Sequence, residues 1–212
     1  MNIHTYLHTF VILLTTILFS SCHSTDYTNN NNEEKKKIAD SVVFANLNID
    51  SLHRYLSIFQ KEGNTYGEII TLRELGNCYR NASMFSEALE SHKQGLNFAK
   101  HSYDTINIIQ ALNNIGTDYR RLSILDEASS YHYQAITYCD LYSDKTSKKA
   151  IKNKVISLNG IANVQMSLGN NSVADSIHRE ALRGEEQLGS DIEQAINYAN
   201  KGAILEDKGE LD

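Results

Sequence analysis

An all-α fold of stacked helical hairpins is what this sequence predicts, and three observations point to it. None of the 212 residues is proline, where average usage of about 5% predicts about ten. Helix interiors exclude proline because it lacks an N–H and its ring meets the carbonyl one turn back. Three segments also align with one another without internal gaps, at offsets of 40 and then 46 residues. Ahead of them, Ile38, Val42, Val43, Leu47, Leu52, Leu56 and Phe59 fall on helical spacing.

The chain opens on an apolar stretch, Leu7 to Phe19. That is the length of a signal-peptide core, about 7–15 residues, and too short for a bilayer-spanning helix of about 20. Its end, Phe19-Ser20-Ser21-Cys22, resembles the lipobox of bacterial lipoproteins. The resemblance implies export, lipidation of the Cys22 thiol, and residence at a membrane on the periplasmic side. Phe19 in place of an aliphatic residue and an n-region without Lys or Arg depart from that pattern. An uncleaved or ordinary secretory signal is the alternative for residues 1–22.

Residues 23–37 are polar, passing from His23-Ser24-Thr25-Asp26 through Asn29 to Asn32 into a Glu/Lys run. They read as a flexible tether. Residues 38–64 read as an N-terminal capping helix or helix pair that stops at Glu62-Gly63-Asn64.

The repeat occupies residues 65–212. Its copies run from Leu75-Gly76-Asn77-Cys78-Tyr79 through Ala88 to His92, from Ile115-Gly116-Thr117-Asp118-Tyr119 through Ala128 to His132, and from Ile161-Ala162 through Ala174 to His178. An incomplete fourth begins at Lys201-Gly202. An apolar residue followed by a small one, an aromatic three positions later and an alanine early in the next helix resemble the tetratricopeptide-repeat (TPR) family. This implies a right-handed solenoid of antiparallel hairpins, each burying its apolar face only against its neighbours. The small residues imply close helix approach. Leu72, Leu112, Leu158 and Tyr198 replace the family's tryptophan, and Gln165 stands where an aromatic is expected. The longer period predicts extended helices, with connections at Tyr103-Asp104-Thr105 and Ser143-Asp144-Lys145. The sequence stops at Asp212 inside a repeat, which reads as a truncated frame or a piece of a longer protein whose uncovered end could self-associate.

The resemblance also assigns an inner surface, made by the first helix of each hairpin. The matching positions are Arg73, Asn77 and Arg80, then Asn113, Asn114, Thr117 and Arg120, then Asn159 and Asn163, with Ala199 and Ala203 in the fourth copy. Asn donates and accepts, which suits the main chain of an extended peptide, and Arg can hold a carboxylate with two bonds. Arg73, Asn77 and Asn114 are similar to part of the two-carboxylate clamp of some TPR domains, whereas Ile156 and Gly160 stand where that clamp has basic residues. Ile70, Ile156 and Ile196 are the expected apolar flanks.

His92, His132 and His178 share one repeat position, so stacking separates them by about one repeat. They read as packing residues with a polar tip rather than as metal ligands. Cys78 and Cys139 read as packed free thiols. No HExxH, phosphate-loop, GxSxG or paired-cysteine pattern occurs, so no cofactor, metal or catalytic residue is assigned. A net charge of −6 repels nucleic acid. The expected function is a non-enzymatic, exported, lipid-anchored scaffold for a protein or peptide partner. The alternative is the sensory part of a membrane-bound TPR regulator or histidine kinase.

Overall fold

The computed structural model describes residues 32–189, apart from 143 and 145. The signal stretch with Cys22, the fourth copy from Lys201, and Ile196, Tyr198, Ala199 and Ala203 lie outside the described residues. Within these, the chain forms eight helices and no strand. They are α1 (32–45), α2 (Ile49–Glu62), α3 (Thr65–Asn81), α4 (Phe85–His101), α5 (Thr105–Arg121), α6 (Leu125–Leu141), α7 (Lys148–Ser167) and α8 (Asn171–Leu188). From α2 onward each helix packs on its neighbours in sequence, and α5 also touches α3 and α7.

Residues 32–37, expected to be tether, belong to α1. Polarity did not prevent this, because Glu and Lys are strong helix formers and only one stripe of α1 needs to be apolar. Ala39 and Val43 supply that stripe, buried against Leu52, Phe59, Ile70 and Leu75. Lys36 pairs with Glu33 at 3.1 Å and lies over the Tyr66 ring, while the Tyr66 hydroxyl donates to Asp40 at 3.0 Å. The segment 38–64, expected to hold one helix or two, holds most of α1 and all of α2.

Side-chain caps open several helices. The side chains of Asn48, Asn64 and Asp104 accept from the backbone N–H groups of Ser51, Gly67 and Asn107, starting α2, α3 and α5. The turns inside the hairpins use backbone bonds, and three of them share one pattern. Ser83 N–H donates to the Arg80 carbonyl and Met84 N–H to that of Tyr79. Ser123 and Ile124 repeat this on Arg120 and Tyr119, as do Gly169 and Asn170 on Met166 and Gln165. The pivot is left-handed each time, with φ of 61° at Ser83, 61° at Ser123 and 76° at Gly169. Only the third copy places there the residue that tolerates this conformation without cost.

The extra residues of the longer second period are divided. The connection grows from 102–104 to 142–147, and α7 has 20 residues where α3 and α5 have 17. Thr105 is the first residue of α5 rather than part of a turn. The apolar interior follows the same segmentation. One cluster joins α1, α2 and α3; a second joins Ile69 and Leu96 to Ile109, Leu112, Ile115 and Ala135; further clusters lie around Leu158 and Ala181 and around Ala162 and Ala174. No described helix is long and apolar enough to cross a membrane.

Candidate functional site

The small residues of the repeat lie under the histidines. A Cβ on Gly76 would collide with the His92 ring, and one on Gly116 would sit 2.8 Å from the ring of His132. These rings are 1% exposed in His92 and His132 and 2% in His178. The expected packing role therefore has no solvent-facing tip, and the polar atoms must find partners inside. The Nδ1 of His132 bonds the Asn113 side-chain oxygen at 3.0 Å, and that of His178 bonds the Asn159 oxygen at 3.1 Å. At the position of those asparagines the first copy has Arg73, so His92 turns elsewhere. Its Nδ1 meets Asp118 in the next hairpin, and its Nε2 meets the Arg73 carbonyl at 3.2 Å.

Burial, with a smaller contribution from Arg120, lowers the His132 pKa to about 4; burial also lowers that of His178. A folded pKa of about 4 against 6.5 unfolded means that the unfolded chain binds the extra proton in between. Stability contributed by neutral His132 is complete above pH 6.5 and lost as pH falls towards 4, by up to about 3 kcal/mol. Urea unfolding at pH 7 and pH 4.5 is expected to show this loss, and His132→Leu to flatten it. An equal slope in wild type and variant would rule it out.

All the described inner-face residues that the sequence predicts, Arg80 excepted, line one of two open depressions. The larger, about 990 Å³, is bounded by α1, α3, α5 and α7 and the segments leading into them, with no residue from α2, α4, α6 or α8. Arg73, Asn77, Asn113 and Asn114 line it. Thr117, Arg120, Asn159 and Asn163 line the second, of about 320 Å³, where α5 meets α7.

Their partners limit what each can offer a ligand. Arg73 donates to Glu74 at 2.8 Å and to Gln110 at 2.7 Å, and Asn77 donates to Glu74 at 3.0 Å. These bonds are half-buried and can exchange with those of a ligand. Asn113 differs, since it is 3% exposed, accepts from His132 and donates to the Asn153 carbonyl at 3.3 Å. Its amide therefore serves the interior more than the groove. Thr117 donates to the Asn113 carbonyl at 3.0 Å. Arg80 lines neither depression; it donates to Asp118 at 2.6 Å and to the Asn114 carbonyl at 3.2 Å, tying α3 to α5. Ile70, expected as an apolar flank, is 1% exposed and belongs to the core, whereas Ile156 is exposed and lines both depressions.

Groove residues that the repeat alignment missed are Glu74, Asn107, Gln110, Lys149, Lys152 and Asn153. Helical spacing held the signal for several of them. Asn107 and Gln110 lie seven and four residues before Asn114 on one face of α5. Cys78 and Cys139 are free thiols. Burial, followed by Asp140, pushes the Cys139 thiol up to about 11, which leaves it protonated and inert.

No family model matches the chain, and no curated protein matches it. Among solved structures it is similar to the crystal structure of BtubC (BKLC) from P. vanneervenii, with a TM-score of 0.56 at 13% identity over 85% of this chain and 82% of that one. At this identity the likeness shows the fold alone, an all-helical, repeat-like stack.

Proposed function

We propose that the chain is a TPR solenoid without catalytic activity, whose inner face binds an extended segment of a partner protein. The observation that supports this most is the identity of the helices around the large depression. All four are the first members of their pairs, the arrangement by which a row of hairpins builds one continuous groove. Asn77, Gln110 and Asn114 place amides along it, and amides both donate to and accept from a peptide main chain. Arg73 and Ile156 add a charge-assisted donor and an apolar contact. Export and lipid anchoring through Cys22 belong to this proposal, on the strength of the N-terminal sequence alone.

Site-specific photocrosslinking in the cells that make the protein tests the groove. A crosslinker at Gln110 or Asn114 is expected to capture one defined protein, and one at exposed Gln94 or Tyr133 on the second helices to capture none of it. Changing Arg73, Asn77 and Asn114 together to alanine should abolish capture without changing helicity. Equal capture from both faces would retire the assignment.

A further inference from the structure

The second helices of the hairpins share a position whose side chain changes along the stack. By the 40- and 46-residue steps it holds Phe98 in α4, Tyr138 in α6 and Gly184 in α8. Phe98 and Tyr138 are half-buried and pack against the cluster that contains Ala99, Ile109 and Leu112. In the third hairpin, the residues that match Ile109 and Leu112 are Val155 and Leu158. They gather Ile136 and Ile177, but no half-buried aromatic ring among the described residues.

Beside Gly184 there is open space. A depression of about 320 Å³ is bounded by Cys139 on α6, by Ala150, Ile151, Val155 and Leu158 on α7, and by Gly184 on α8. Cys139, Ala150, Val155 and Leu158 are each less than a tenth exposed, so its floor is apolar. The chain cannot fill this place from α8, because a Cβ on residue 184 would sit 2.6 Å from the Val155 Cγ2. A ring lying there must come from outside. The rim differs from the preceding hairpin as well: Ile108, Thr137 and Leu141 give way to Lys154, Arg183 and Gln187. Lys154 pairs with Asp140 at 2.7 Å, joining α7 to α6 at the mouth. An apolar floor with a few polar groups around it is the build of a small-molecule site, and the volume lies at the lower end of the usual range of about 300–1,000 Å³.

We propose that this depression binds a small molecule with one aromatic ring. The ring lies on Val155 and Leu158, in the place that Phe98 and Tyr138 take in the two preceding hairpins, and a polar substituent reaches Arg183 and Gln187 at the rim. The depression shares only Val155 with the two that form the groove. The site therefore stands whether or not the groove binds a peptide.

Titration of the methyl-labelled full chain with p-cresol, which carries the ring and hydroxyl of a tyrosine side chain, tests this by NMR. The Val155 and Leu158 methyl resonances are expected to shift and to saturate at about millimolar concentration. Those of Ile109 and Leu112, where Tyr138 already packs, should stay in place. Ile151→Glu puts a charge on the half-buried wall and should abolish the shifts with the helical circular dichroism unchanged. If that variant loses helicity, Gln187→Trp, at an exposed residue of the mouth, makes the same test. Shifts that do not saturate, that appear equally at Leu112, or that persist in the folded variant overturn the site. A blocked Gly-Tyr-Gly peptide that binds more tightly than p-cresol overturns the small-molecule reading and gives the place to a side chain of a partner protein.

Discussion

Asp118→Ala is expected to lower stability by about 3–5 kcal/mol, equivalent to about 10 °C in Tm for a chain of this size. Asp118 is completely buried, and its two oxygens face two different helices of the preceding hairpin. One accepts from Arg80 on α3, and the other meets the His92 ring on α4. Because each hairpin of a repeat stack is held mainly by its neighbours, a polar clamp across one junction should act on the whole array. Removing the carboxylate strands a largely buried guanidinium and a buried imidazole, which costs more than the bonds themselves return. Asp118→Asn, which keeps the shape and part of the bonding, should lose less. Removing both partners with Arg80→Met and Asp118→Leu should recover part of the loss, as the non-additivity of coupled sites requires. Thermal and urea unfolding measure all three, and a loss below about 1 kcal/mol for Asp118→Ala would show that the junction is held by apolar contacts alone.

Gly76→Ala is the second large effect, and its sign should depend on His92. In an exposed helix interior, glycine to alanine stabilises by about 0.5–1 kcal/mol. Here the new Cβ would overlap the His92 ring, and the ring has no free direction because both of its nitrogens are bonded. The expected result is a loss of about 1–3 kcal/mol from overpacking. In a His92→Ala background the space is open, and the same substitution should become stabilising. A double-mutant cycle read by urea unfolding gives the coupling directly. Additive effects would mean that the hairpin spreads to admit the methyl group and that ring and glycine are not matched.

Much of the fold was legible because a helix repeats its face every 3.6 residues and a stack repeats its unit. Gly76 and Gly116, Ala88 and Ala128, and His92 and His132 mark equivalent places before any coordinates are known. The structure puts matching turns and matching buried histidines at those places. The first helix was harder to see, because the Glu/Lys run at its start carries no apolar signal. Its helicity comes from propensity and from anchoring further along, at Ala39 and Val43.

The candidate site was legible as a stripe but not as a set of roles. Arg73, Arg80 and Arg120 are one residue type on one helical face. Arg73 bonds Gln110 within the larger depression, Arg80 is committed to a buried carboxylate, and Arg120 lines the smaller depression with Asn159 and Asn163. Asn113 and Asn114 are adjacent in sequence, yet one serves a buried histidine while the other lines the groove. Alignment of repeats assigns each residue to a position, whereas its role depends on which residue the next repeat brings opposite.

By itself, the sequence determined the helical class, the repeat register and the face that would be shared, since these follow from spacing along one chain. Only the tertiary structure decided how the polar groups are partnered: it brings Asp118 to Arg80 across a separation of 38 residues and places Arg120 in the lining of a depression with Gly160 and Asn163. The reason is physical. A side chain's periodicity is a property of its own helix, but the desolvation of its charge depends on every helix packed against it.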